Sequence, residues 1–119
     1  VVRLPEDQGP GNALLLEIAC EQLTLAFCAF GQPGVSAERV ASQALRQADD
    51  WRRSGTSVEE HLADQLLLPL ALAGGGSFTT PVASDHLLSN RTVIEAFLPV
   101  RIAFEARHAG GQHIRITPA

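Results

Sequence analysis

The chain is 119 residues long, 45% apolar and 18% charged, with a formal net charge of −4 at pH 7. That length suits about one domain, and the apolar content is the opposite of what disorder requires. No apolar stretch is long enough for a membrane helix. The acidic balance speaks against a general nucleic-acid surface but leaves room for a local anion site.

Residues 1–12 are rich in Pro and Gly and are expected to form a loop. Two apolar runs follow, over 13–19 and 23–30, with a polar break at Glu21-Gln22; together they predict a β-hairpin. Cys20 then lies near the turn and Cys28 near the open end. They are expected to be buried, reduced thiols of a cytoplasmic protein, neither a disulfide nor a metal pair. No signal peptide is legible.

Ser36 is a suitable N-cap for a helix reaching about Arg53. Val40, Ala44, Ala48 and Trp51 recur at steps of three and four and make one apolar face, and Gly55 ends the helix. The spacing of Ser57 and Glu60 predicts a capping box. The helix after it, Leu62 to Ala73, is apolar nearly all round and is expected to be buried. Pro69 should kink or break it, and Gly74-Gly75-Gly76 stops it. A strand over 77–83 has Pro81 in it, which suggests an edge strand or an early end. A turn at Ser84-Asp85 leads into a helix ending near Leu98. Strands over 100–106 and 113–117 alternate cleanly around a turn at 108–111. The order is β-β-α, then α-β-α-β-β, a mixed α/β chain of the α+β kind, with the unit boundary expected at Gly55-Thr56.

The second half is thin for its apolar helix, which needs more partners than three short strands offer. There is also no Met, and all nine basic residues are Arg. Both the thin core and the missing Met predict a fragment of a longer protein. Arginine suits bidentate contact with phosphate or carboxylate, although so uniform a bias fits genome composition better than function.

Two polar clusters are not explained by caps or solvated faces. His61, Asp64 and Gln65 lie at i, i+3 and i+4, on one face of the apolar helix. Buried polar groups must find partners; these three either satisfy loop backbone or line a ligand site. In the second cluster, His86 falls between a strand and a helix N-terminus. Helix N-termini hold phosphates and favour the neutral imidazole that a nucleophile needs, although a lone His is more often structural. No metal-ligand spacing, P-loop or dinucleotide fingerprint is present, so no residue is assigned to a metal. The sequon at Asn90-Arg91-Thr92 is a chance-level pattern, and His108 and His113 flank a turn exposed to solvent.

The run His61-Leu62-Ala63-Asp64-Gln65-Leu66-Leu67-Leu68-Pro69-Leu70-Ala71-Leu72-Ala73-Gly74, then Ser84-Asp85-His86-Leu87-Leu88-Ser89-Asn90, then Phe97-Leu98-Pro99-Val100-Arg101, resembles the C-terminal part of the RNA 3′-terminal phosphate cyclase family. Gly9-Pro10-Gly11-Asn12-Ala13-Leu14-Leu15-Leu16 and Phe30-Gly31-Gln32-Pro33-Gly34-Val35-Ser36-Ala37-Glu38 are similar to that family in the same order. The resemblance covers nearly the whole chain.

It implies a fold of βαβαββ repeats with a smaller α/β domain inserted into the last one. Residues 1–55 would be the end of the insert and residues 56–119 the remainder of the last repeat, with the N-terminal repeats of the same protein absent. The implied chemistry uses ATP. A histidine attacks the α-phosphate, pyrophosphate leaves, AMP passes to an RNA 3′-phosphate, and the 2′-OH closes a 2′,3′-cyclic phosphate. The family's His-Leu-Leu-(Thr/Ser)-Asn motif puts the nucleophile at His86. Its Asp-Gln pair puts Asp64 and Gln65 near the nucleotide, with His61 where relatives often carry an aromatic residue. Phe30 would pack on adenine. Asp85 stands where some relatives have Cys, so a thiol there is not essential. Mg or Mn is implied with ATP, its ligands outside this chain. The implied partners are ATP and RNA 3′-phosphate ends, with no membrane. The alternative is a non-catalytic cyclase-like scaffold protein of ribosome biogenesis, a branch that typically loses the nucleophile; His86 favours the enzyme.

Overall fold

A computed structural model describes Val2, Arg3, Pro5 and residues 11–119. Most of the loop expected over 1–12, including Gly9 and Pro10 of the first family-like motif, lies outside the described residues. The chain divides into two compact units, Val1–Asp50 and Trp51–Ala119. Helices and two small antiparallel sheets make it a mixed α+β chain.

In the first unit, β1 (Ala13–Ala19) and β2 (Thr24–Phe30) pair antiparallel, with Leu16 opposite Phe27 and Leu15 opposite Cys28. Every second residue of β2 is buried: Leu25, Phe27 and Ala29. Helix α1 (Ala37–Ser54) supplies the other side of the core through Val40, Ala44 and Ala48, as its three- and four-residue spacing predicts. Val35 packs against the cluster of Ala29, Val40 and Ala44. Gly55 ends α1 with φ 60°, a left-handed conformation that glycine adopts without a Cβ penalty. Both cysteines are free but exposed, which corrects the expectation of burial. Cys28 faces outward because its neighbours Phe27 and Ala29 face inward.

In the second unit, β3 (Gly76–Thr80), β4 (Val100–Ala106) and β5 (Gln112–Pro118) form an antiparallel sheet in the order β3-β5-β4. Helices α2 (Glu60–Leu72) and α3 (Asp85–Phe97) pack on each other and on that sheet. Ile114 of β5 lies between Phe78 of β3 and Phe104 of β4, and Ile116 lies opposite Ile102. With the half-buried Phe104 at the margin, these meet Ala63, Leu67 and Ala71 of α2 and Leu87 and Ile94 of α3 as the buried apolar set. The other sheet face is polar: Glu105 lies 3.6 Å from both His113 and Arg115. His108 is exposed as expected, whereas His113 is only half-buried because of that contact. β3 is an edge strand and stops at Thr80, immediately before Pro81, since proline cannot donate to the ladder.

The capping box expected for α2 does not form. The N-cap is Glu59, whose carboxylate accepts from the backbone N–H groups of His61 and Leu62. Ser57 is engaged elsewhere: its Oγ accepts from Thr79 N at 2.8 Å and donates to Thr79 O at 3.1 Å, and its own N–H donates to Thr79 Oγ1 at 2.8 Å. The capping box gives way to a strap joining residues 57–58 to β3. The helix is buried on one side, through Ala63, Leu67 and Ala71, while Leu68 and Leu72 are 49% and 68% exposed, as expected of an apolar helix with too few partners in this chain. Finally, α2 passes through Pro69 unbroken, because Pro69 is exposed and the last turn is closed by Ala73 N donating to Pro69 O at 2.9 Å. Gly75 then turns the chain into β3 at φ 136°, where a Cβ would come within 2.9 Å of Ile116 O.

Candidate functional site

The candidate residues of the second unit sit on the first two turns of α2 and the first two turns of α3. Ser84 caps α3, its Oγ accepting from Leu87 N at 3.2 Å. His86 is therefore the second residue of the helix, inside its first turn, where the sequence placed it just ahead of the N-terminus. Its imidazole is exposed and has no hydrogen-bond partner among the described residues. The backbone below it is fixed, with Leu87 fully buried beside it.

Asn90 lies one turn on from His86, on the same helix face. Its Nδ2 donates to Asp64 Oδ1 at 2.6 Å. That bond joins the α3 face carrying His86 to the α2 face carrying His61, Asp64 and Gln65. Asp64 is half-buried, while Gln65 and His61 are exposed. Among the described residues the His61 imidazole pairs only with the carboxylate of its neighbour Glu60, at 3.8 Å, with 79% of its side chain exposed. None of the three polar groups on α2 is thus fully buried, and among the described residues none serves loop backbone. Asn90 was not singled out as a site residue; the signal for it was its place four residues after His86 at the end of the same motif.

Two further side chains, Glu95 and Arg91, hold α3 against β4. Glu95 accepts from the backbone N–H of Ile102 on β4 at 2.6 Å and pairs with Arg91 at 3.4 Å. The Arg91 guanidinium stands 5.2 Å from the centre of the Phe104 ring, within cation–π range. Beyond Asn90, α2 and α3 leave an open apolar groove of about 290 Å³, lined by Leu68, Leu72, Val93 and Phe97 among others.

Phe30 lies in the other unit, at the end of β2, and is 66% exposed. It borders a groove of about 240 Å³ with Gln32, Val35, Arg39, Gln43 and Arg46. Among the described residues no three His, Cys, Asp or Glu side chains gather as a metal site would need. No helix among them is long and apolar enough to cross a membrane.

A short antiparallel sheet carrying two helices, with an exposed histidine and an Asp–Asn bridge at the helix starts, defines an α+β chain with a polar site on its helical side. The chain matches the family model described as RNA 3′-terminal phosphate cyclase over residues 11–104. It is 66% identical over 116 residues to the RNA 3′-terminal phosphate cyclase of Pseudomonas aeruginosa strain UCBPP-PA14, covering 98% of this chain and 34% of that protein. It is 62% identical over 115 residues to the protein of the same name from Pseudomonas fluorescens strain Pf-5, covering 97% of this chain and 33% of the relative. The one from Salmonella enteritidis PT4 is 57% identical over 110 residues, covering 92% and 32%. The chain therefore belongs to the RNA 3′-terminal phosphate cyclase family. It spans about a third of the length of these curated relatives.

Proposed function

We propose that the chain is the nucleophile-bearing part of an ATP-dependent RNA 3′-terminal phosphate cyclase. The observation that carries this reading is His86, exposed in the first turn of a capped α-helix in a chain of this family. Free N–H groups and the helix dipole at that end favour a phosphate beside the imidazole. A nitrogen lone pair of His86 would attack the α-phosphorus of ATP. The bond from phosphorus to the bridging oxygen breaks, pyrophosphate leaves with that electron pair, and AMP is held on the ring as a phosphoramidate. The proton on the other ring nitrogen passes to solvent. AMP then moves to an oxygen of the RNA 3′-phosphate, and the neighbouring 2′-OH displaces it to close the cyclic ester.

Asp64 and Gln65 are the proposed nucleotide contacts. Asp64 offers one carboxylate oxygen to Asn90 and keeps the other for a donor, such as a ribose hydroxyl. Gln65 offers an exposed amide, and His61 an exposed ring that can lie against a base. Phe30, in the other unit, is proposed as an aromatic platform for a base. Mg or Mn would accompany the triphosphate; the described residues of this chain do not fit a site for it, and its ligands are assigned to other parts of the protein. Further repeats of the same protein complete the site in this reading. The scaffold alternative has no observation in its favour, since His86 is present.

The test is a chimera in which this chain replaces the matching third of the Pseudomonas aeruginosa relative. With labelled ATP, the chimera should take up acid-labile AMP and cyclise a 3′-phosphorylated RNA, and His86→Asn should do neither. An AMP adduct that survives in His86→Asn would refute the assignment.

A further inference from the structure

The first unit carries a groove of which the proposed adenylylation uses only the ring of Phe30. Its lining combines an exposed aromatic ring, Phe30, with two arginines, Arg39 and Arg46, and two amides, Gln32 and Gln43. Arg39, Gln43 and Arg46 follow one another at four and three residues, so they form one row along α1 beside the buried row of Val40 and Ala44. The two arginines stand two turns apart, about 10 Å along the axis.

The groove lining is basic although the chain as a whole is acidic. The chain is net −4, yet among the described residues no carboxylate lines the groove. Beside Arg39, Glu38 is held by its own backbone N–H and by the Ser36 hydroxyl, and beyond Arg46, Asp49 and Asp50 lie outside the groove lining and are engaged in contacts of their own. Neither Arg39 nor Arg46 has an ion-pair partner among the described residues. Two unpaired guanidinium groups in a groove attract an anion with charges spaced along it, and a ring open on one face attracts a base. Single-stranded polynucleotide has both.

We infer that the groove beside α1 holds the RNA strand itself, with phosphates on Arg39 and Arg46 and a base on Phe30. The inference rests on the proposed RNA cyclase function but concerns a surface apart from His86. Binding there is indifferent to sequence, because it reads backbone charge and base faces rather than base edges. Gln32 and Gln43 supply amides that can donate to phosphate or sugar oxygens.

The experiment titrates the 119-residue chain into a fluorescein-labelled oligouridylate ending in a 3′-hydroxyl, without ATP, over a series of salt concentrations. Binding should saturate and weaken as salt rises. The double variant Arg39→Gln/Arg46→Gln should bind at least about tenfold more weakly at low salt. It should also flatten the slope of log affinity against log salt by about one to one and a half, as two lost single-strand phosphate contacts require. Phe30→Ala should weaken binding roughly tenfold and leave the slope unchanged. Gln43→Glu, which sets a carboxylate between the two arginines, should act like the double variant and guards against a folding artefact in it; circular dichroism checks the helix in each. Saturable binding that none of these variants alters overturns the inference, as does an absence of binding at low salt. Displacement of the RNA by ATP alone at matching concentration also overturns it, in favour of a mononucleotide pocket. Because the RNA has no 3′-phosphate and no ATP is present, failure here is separate from failure of AMP uptake at His86.

Discussion

Asn90 donates to Asp64 across 2.6 Å, joining the second turn of α3 to the second turn of α2. This is the one side-chain bond by which the two candidate clusters meet among the described residues, and it couples their geometry. A hydrogen bond to a charged acceptor is worth about 1.5–3 kcal/mol, less where water competes. Asp64 is half-buried and Asn90 exposed, so Asn90→Ala should cost about 1 kcal/mol. A double-mutant cycle with Asp64→Ala should return a coupling of at least about 0.5 kcal/mol by urea denaturation. Additive single effects would mean that the bond does not hold the helices together.

Leu67 and Leu68 are chemically identical neighbours with opposite surroundings. Leu67 is fully buried and Leu68 is 49% exposed. Leu67→Ala should destabilise the fold by about 2–5 kcal/mol. Leu68→Ala should cost no more than about 1 kcal/mol, since surface changes are usually small. Equal losses in the two variants would show that α2 is rotated from the face described above.

Ser57 and Glu59 divide the work that a capping box would do alone. Glu59→Ala should lose about 1 kcal/mol as a cap, with faster amide exchange at His61 and Leu62. Ser57→Ala should lose a similar amount, but with faster exchange at Thr79, whose N–H it accepts. Exchange that rises at His61 in Ser57→Ala would restore the capping box.

Gln65 is exposed, so Gln65→Ala should leave the melting temperature nearly unchanged. In the chimera described above it should slow AMP uptake. A large drop in melting temperature with normal uptake would make Gln65 structural.

Glu38 sits in the first turn of α1, where its own N–H and the Ser36 hydroxyl hold its carboxyl below the usual value. A depressed folded value means that the unfolded chain binds the proton more tightly. The stabilisation is therefore present above the ordinary carboxylate range, about 4, and is lost as pH falls through the lower folded value. Glu38→Gln should remove that part of the acid sensitivity of α1, read as helicity against pH. An unchanged acid limb would dismiss the contact.

Where pattern and packing agree, the elements were legible. Val40, Ala44 and Ala48 have one spacing and one destination. The alternation of β2 even contains the exposure of Cys28, because Phe27 and Ala29 cannot both face the core unless Cys28 turns away. α2 was less legible because its residues are apolar all round, so no period marks a phase. Its buried face was set by close approach, with Ala63 and Ala71 small enough to let the helix settle around Leu67. The Ser57 and Asn90 bonds join residues 22 and 26 positions apart. A local motif can suggest a hydroxyl for capping but cannot reveal a strand that takes it first. His86 was legible through its motif, and its partner-free exposure was not.

The open apolar groove between α2 and α3 bears on how every one of these variants is measured. Environment-sensitive dyes brighten when they meet accessible hydrophobic surface, and Leu68, Leu72, Val93 and Phe97 offer such a surface in the folded chain. A dye-reported melt of this protein should start bright, and its apparent midpoint should shift with dye concentration. Intrinsic Trp51 fluorescence or circular dichroism is the sounder thermometer for this chain.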